Sequence, residues 1–290
     1  MIAPAGSVAG AIGGRLYRSG IAYTDPAADP AAGLPACLAA SSGRPGFFLV
    51  WLVERLTVKH ADFCCLAVET ATDFPSLALV RGSQRAVRAA EGLQTPSRAI
   101  YSWVQELIDE TGIRLDQLDC LAFGAGPGSF TGVRVAAAVV QALGFARQLP
   151  VVPVSTLAAL AMGGFRASPA QPVACCLDAR MGQVYFAVYA PDDELGVRVL
   201  REDVLLQPEE VSCAGLSSCF AAGPGWLAYP GLRDRFAGVM TGLDAGLRPS
   251  ATDVATLAHA RFLRGQTVVP ALALPNYLRD RVTSFSGQPA

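Results

Sequence analysis

The chain is almost without lysine. Lys59 is its only one, so neither a phosphate-binding lysine nor Schiff-base chemistry has its residue in the body of the sequence. Histidine is nearly as scarce. His60 and His259 lie far apart without a companion at i+3 or i+4, which argues against a histidine zinc site and leaves them as a boundary residue and a helix residue. No C-x-x-C pair occurs among Cys37, Cys64, Cys65, Cys120, Cys175, Cys176, Cys213 and Cys219; most fall in apolar strand-like runs and read as buried reduced thiols, which fits a reducing cytoplasm. The apolar run Gly46 to Val53 is far shorter than the roughly 20 residues of a bilayer span, and too far from the N-terminus for a secretory core. Charge is sparse as well. With 16% charged residues and a net charge of −1 there is no overall basic field to hold nucleic acid, so any RNA must be held by a local patch or a partner.

What is present is apolar and long enough for two packed lobes: 52% of 290 residues are hydrophobic. Residues 1–46 stand apart, rich in Ala, Gly, Pro and Ser without periodicity. Residues 1–60 are therefore expected to form a loosely ordered extension, with an over-long start and a true beginning near Val58.

From Phe63 the pattern becomes regular. Phe63 to Glu69 is a buried strand, Ser76 to Arg81 a second and Gln84 to Ala90 a weaker third. Pro96 opens a helix carrying Ile100, Trp103, Val104 and Leu107 at helical spacing, with Gly112 past its end. The apolar run Leu118 to Phe123 then leads into Gly124-Ala-Gly-Pro-Gly-Ser-Phe-Thr-Gly-Val-Arg134 and the helix Val135 to Arg147. Gly126, Pro127, Gly128 and Gly132 let the backbone turn tightly, and Ser129 and Thr131 can cap the helix. Two readings stay open here, an anion cradle and a tight structural turn. The loop is no Walker A motif, lacking the lysine, and Thr131 stands where a dinucleotide fingerprint has its third glycine.

Val151 to Val154 is a short strand, followed by a helix Leu157 to Met162 that Gly163-Gly164 stops. The second half repeats the order: strands at Val173 to Leu177, Val184 to Tyr189 and Val197 to Leu206, a helix around Glu209 to Ala214, a strand Cys219 to Ala222, and a helix around Leu232 to Val239. The helix Ser250 to Leu263 then crosses back. Three meandering strands followed by helix, strand and helix, twice over, predict a duplicated α/β protein of mixed sheets flanked by helices. The lobes are set at 61–167 and 168–248, with 249–290 returning towards the first. Ligands of such folds bind where glycine turns end the strands, in the cleft between the lobes.

These motifs carry a resemblance. Val68-Glu-Thr-Ala-Thr72 with Leu77-Ala-Leu, Gly126-Pro-Gly-Ser-Phe-Thr-Gly-Val-Arg134, Pro153-Val-Ser-Thr-Leu157, Leu177-Asp-Ala-Arg-Met-Gly182-Gln-Val-Tyr185 and Pro275-Asn-Tyr-Leu-Arg-Asp280 together resemble the TsaB (YeaZ) family, over about Phe63 to Thr283. The family is the bacterial dimerisation subunit of the tRNA N6-threonylcarbamoyladenosine synthesis complex. The resemblance implies a two-lobed fold similar to actin, Hsp70 and hexokinase (ASKHA) and a subunit that is not an enzyme on its own. It further implies heterodimerisation with TsaD, with TsaE joining, tRNA met only indirectly, and ATP or ADP at the complex interface rather than on this chain alone; separately, exposed apolar helices would allow a homodimer when the chain is alone. Pairing would use the first-lobe helices, with Ile100, Trp103, Val104, Leu107, Ala136, Val140 and Leu143 as partner-facing candidates; packing of these apolar stripes on their own sheet is the competing reading.

The catalytic branch of relatives holds its metal with a histidine pair on the first-lobe helix, and Ser97 to Glu110 has none, so no metal is expected. Where nucleotide-hydrolysing relatives use a first-strand aspartate, the matching position looks like Glu69, read as a capping or lobe-bridging residue before a metal ligand. The cleft-proximal candidates are Glu69, Thr70, Thr72, Gly126, Gly128, Ser129, Thr131, Arg134, Asp178 and Arg180. Arg180 can reach across the cleft or close a turn with Asp178; Arg134 is an anion partner or a helix-surface charge; Gly223-Pro-Gly225 resembles the place where relatives receive adenosine, a space Trp226 can fill instead. Two other functions, a free-standing phosphotransferase of this fold and a glycoprotease-like peptidase, compete with the subunit reading. The peptidase lacks any evident nucleophile–base pair.

Overall fold

A computed structural model describes residues 62–90 and 99–279, all within one compact unit. The expected extension over residues 1–60 and the helix start at Pro96 lie outside the described residues.

The first sheet is built from β1 (Cys64–Glu69), β2 (Ser76–Arg81), β3 (Gln84–Ala89), β4 (Cys120–Gly124) and β5 (Val151–Val154), in the order β3-β2-β1-β4-β5. β1 to β3 form an antiparallel meander, and β4 and β5 add in parallel because α1 (Ala99–Thr111) and α2 (Phe130–Arg147) connect them. After α3 (Thr156–Ala167) the plan repeats: β6 (Val173–Arg180), β7 (Gln183–Asp192), β8 (Gly196–Leu206), β9 (Cys219–Ala222) and β10 (Met240–Asp244) are arranged β8-β7-β6-β9-β10. The short helices α4 (Gly225–Ala228) and α5 (Pro230–Phe236) link β9 to β10, and α6 (Ala251–Leu263) follows. Strand for strand, one sheet is the other repeated, which is the duplication the sequence predicts.

Strand periodicity divides the side chains among three cores. On β1, Cys64, Leu66 and Val68 join α1 and α2, whereas Cys65 and Ala67 point into a central core. On β6, Val173, Cys175 and Leu177 face that central core, and Ala174 and Cys176 pack against Trp226 and Phe236 on the far side. The near-continuous apolar runs of both strands follow from burial on two faces. The cysteines behave as core hydrophobes. Six of the seven in the described residues are buried, Cys213 half-buried, and burial pushes the Cys64 thiol up to about 11.

α3 and α6 lie between the sheets. α6 packs on β1, β2, β4 and β5 and touches β8; α3, which chain order puts in the first lobe, lies against β6, β7, β8 and β9. Gly163-Gly164 does not stop this helix, which runs on to Ala167. The glycines serve close packing instead: a Cβ at Gly164 would stand 2.6 Å from Val173 Cγ1. The helix expected around Glu209 to Ala214 is a single 3-10 turn, Pro208–Glu210. Beyond it Ser212 Oγ accepts from Ala214 N, and the Arg201 guanidinium takes the carbonyls of Ser212 and Ala214, so local side chains satisfy the backbone in place of helical bonds. β10 is absent from the sequence reading; it is a short strand with a register shift at Met240/Gly242, paired in parallel to β9. None of the helices in the described residues is long and apolar enough to cross a membrane.

Candidate functional site

The glycine loop joins β4 to α2. Ser129 caps the helix, its hydroxyl accepting from Gly132 N at 3.4 Å, and Thr131 is exposed in the first turn. The loop is pressed against the turn that leaves β1. A Cβ at Gly128 would stand 2.4 Å from Ala71 O, and one at Gly132 would stand 1.9 Å from Thr70 O. Ser129 N donates to Ala71 O at 2.7 Å, and Thr70 Oγ1 to Gly132 O at 2.6 Å. Gly126, at φ 101°, occupies backbone space that favours glycine, and its carbonyl accepts from Thr156 N at 2.9 Å. Close backbone approach thus accounts for the glycines, and the loop's own chain takes several of its polar groups.

Glu69 sits beneath this loop, fully buried at the end of β1. Its carboxylate accepts from Ala71 N at 2.7 Å and from the Thr156 hydroxyl at 3.3 Å, so it caps the turn after β1 and ties it to the first residue of α3. Burial raises its pKa from 4.5 to about 7, and the Ala71 and Thr156 hydrogen bonds pull the other way. Thr72 accepts from Phe74 N at 3.4 Å, a local turn bond on the lip of the cleft.

The cleft is a cavity of about 970 Å³ between this loop region and the β6–β7 hairpin. Asp178 accepts from Arg180 N at 2.8 Å and from the Tyr229 hydroxyl at 3.1 Å. Arg180 combines both sequence readings: its guanidinium lies 3.4 Å from Asp178 within the turn and 3.5 Å from Asp73 across the cleft. Arg134 lies over the Phe130 ring at 3.3 Å and donates to the Tyr277 hydroxyl at 2.8 Å. At the other glycine turn, a Cβ at Gly223 would meet Cys176 O at 2.5 Å. Trp226 beside it is fully buried, packs edge-on against Phe186 and Phe236, and donates to Ala174 O at 3.1 Å; it fills its own lobe. Among the described residues no three His, Cys, Asp or Glu side chains cluster as a metal set.

The helix residues proposed from sequence to face a partner turn inward. Ile100, Val104, Leu107, Ala136 and Val140 are buried in the first-lobe core, and Trp103 and Leu143 pack on its margin. The competing reading therefore describes where these side chains sit in this chain. The outward faces carry other residues. Tyr101 is 57% exposed on α1; on α2, Thr131, Arg134, Ala138, Ala142 and Phe145 form an exposed stripe, with Phe145 82% exposed. Leu272 and Leu274, also exposed, lie on the segment after α6 that packs on α2. Sequence reasoning did not place Tyr277, Tyr229, Asp73 or Arg279 at the cleft, although Tyr277 and Arg279 lie in the tail motif; all are polar residues whose partners lie far along the chain.

The comparisons agree with this architecture. A family profile described as TsaD, tRNA N6-adenosine threonylcarbamoyltransferase, matches residues 94–211. The tRNA threonylcarbamoyladenosine biosynthesis protein TsaB of Haemophilus influenzae is 33% identical over 226 residues, covering 75% of this chain and 94% of the relative. TsaB of Escherichia coli is 34% identical over 220 residues, covering 75% and 95%. The crystal structure of YeaZ from Pseudomonas aeruginosa superposes with a TM-score of 0.69 at 37% identity, covering 74% of this chain and 100% of that one. With the duplicated sheets, the glycine loop and a likeness spanning nearly the full length of these relatives, the chain belongs to the TsaB family.

Proposed function

We propose that this chain is a non-catalytic subunit of tRNA N6-threonylcarbamoyladenosine biosynthesis, pairing with TsaD and activating it for transfer to the adenosine 3′ of the anticodon. The carrying observation is the likeness to TsaB proteins over nearly their whole lengths. The structure supplies a surface suited to pairing. The outward stripe of α2 sets small Ala138 and Ala142 between larger Arg134 and Phe145, so a partner helix can approach closely and still meet an aromatic anchor. Exposed Leu272 and Leu274 add apolar area beside it. Without a partner, the same face serves a homodimer.

TsaE joins the pair, tRNA is met through the complex, the setting is the cytoplasm, and any ATP or ADP binds at the subunit junction rather than to this chain alone. Co-purification with TsaD tests the reading: a stoichiometric complex that carries the modification activity is expected, and absence of any complex from purified components overturns it. Calorimetric titration of the isolated chain with ATP and magnesium should show no tight binding; binding with turnover would favour a phosphotransferase.

A further inference from the structure

The chain's own arginines bridge the rim of the cleft, and the segment after α6 runs along that rim. It begins on the first lobe, where Asn276 N donates to Ala125 O at 2.7 Å and Tyr277 receives Arg134. It ends on the second, where Arg279 grips the β6–β7 hairpin with both arms of its guanidinium. Nη2 donates to Ala179 O at 3.2 Å and to Gln183 Oε1 at 2.7 Å, while Nη1 lies 3.0 Å from Met181 Sδ. The hairpin it grips is unusual. Its two-residue turn is Met181-Gly182, with φ 54° and 77°, so Met181 stands where a turn of this hand ordinarily places Asn or Gly; Arg180 just before it, at the register shift that follows Asp178, also has positive φ, 63°. Such a tip persists when its surroundings hold it. Here they are the Asp178 carboxylate on Arg180 N, the Asp73 ion pair across the cleft, and Arg279.

We propose that Pro275–Arg279 is a clasp joining the two lobes across the cleft mouth, with Arg279 its latch on the hairpin, so that undoing this one side chain widens the cleft while both lobes stay folded. The central core formed with α3 and α6 holds the sheets together independently of the clasp, which confines the motion to the lips. The ties are peripheral: Tyr277 is 46% exposed, and the other cross-cleft contacts among the described residues include the Arg180–Asp73 pair, the Tyr185 hydroxyl at 3.5 Å from Gly128 O and Arg248 over the Phe74 ring at 5.2 Å. Weakly anchored segments of this kind open at low free-energy cost without global unfolding. The arginines of the rim therefore act first as ties between lobes.

Hydrogen exchange measured by mass spectrometry on the full chain tests this. In Arg279→Ala, amides of the hairpin Ala179–Gln183 and of the opposite lip Thr72–Phe74 should exchange about tenfold faster, the size of one lost charge-assisted hydrogen-bond set. Amides of β1, β4 and α6 should keep the parent rates. Arg279→Lys, which keeps the charge but loses the fork, should give an intermediate response, and Tyr277→Phe should loosen the first-lobe end of the clasp. A response that leaves out either lip, or one that spreads equally over both sheets, overturns the proposal.

Discussion

Glu69 and Gly124 share one space: a Cβ built on Gly124 would stand 1.9 Å from Glu69 Oε2. The glycine that ends β4 is thus required by a carboxylate on the neighbouring strand, and the pair ties the glycine loop to the end of β1. Gly124→Ala should destabilise the protein by about 1–3 kcal/mol, the range for overpacking a closed site. Glu69→Ala in the same chain should return part of that loss, since the two substitutions act on one contact. Denaturant unfolding of the two single variants and the double variant checks this.

The buried carboxyl of Glu69 also sets a pH dependence. Its folded pKa of about 7 lies above the ordinary 4.5, so between those values the folded state holds a proton that the unfolded state has lost. Stability contributed by this group is therefore full below about 4.5 and is lost as pH rises towards about 7. The total is about 3 kcal/mol. Asp203, its carboxyl raised by burial, acts in the same direction, so the parent must be compared with Glu69→Gln. The difference in unfolding free energy between the two should vary across that window and level off above it.

Phe145 and Leu107 separate surface from core. Phe145→Asp, at a site 82% exposed, should change stability by less than about 0.5 kcal/mol while weakening assembly with TsaD more than tenfold. Leu107→Ala, fully buried, should cost about 2–5 kcal/mol of stability. Thermal unfolding together with a pull-down on the same samples reads both effects; an unimpaired Phe145→Asp complex would remove the α2 face from the interface.

Trp226 fills the space beside the second glycine turn. Trp226→Ala should cost about 3–5 kcal/mol, through the cavity it leaves among Phe186, Phe236 and β6, as judged by urea unfolding.

Periodicity alone determined much of this protein. The strand runs at Cys64–Glu69 and Val173–Leu177, the helix stripe Ile100-Val104-Leu107 and the repeated order of elements were legible, because burial on two faces or on one stripe writes itself into local sequence. The glycine loop was legible as a turn, but its partner was not: what Gly124, Gly128 and Gly132 avoid is the backbone and carboxylate of residues 69–71, more than fifty positions earlier. The same holds for Gly163-Gly164, which read as a stop until Val173 was placed against the helix, and for β10, whose strand partner among the described residues is β9. Which apolar stripe faces the sheet and which side remains outward depends on the docking of α1 and α2. The lip-to-lip ties Arg180–Asp73 and Arg279–Gln183 join residues about a hundred apart. Sequence fixes what is locally periodic; tertiary structure alone decides which distant groups come within bonding distance, because those contacts follow from how the two sheets close on α3 and α6.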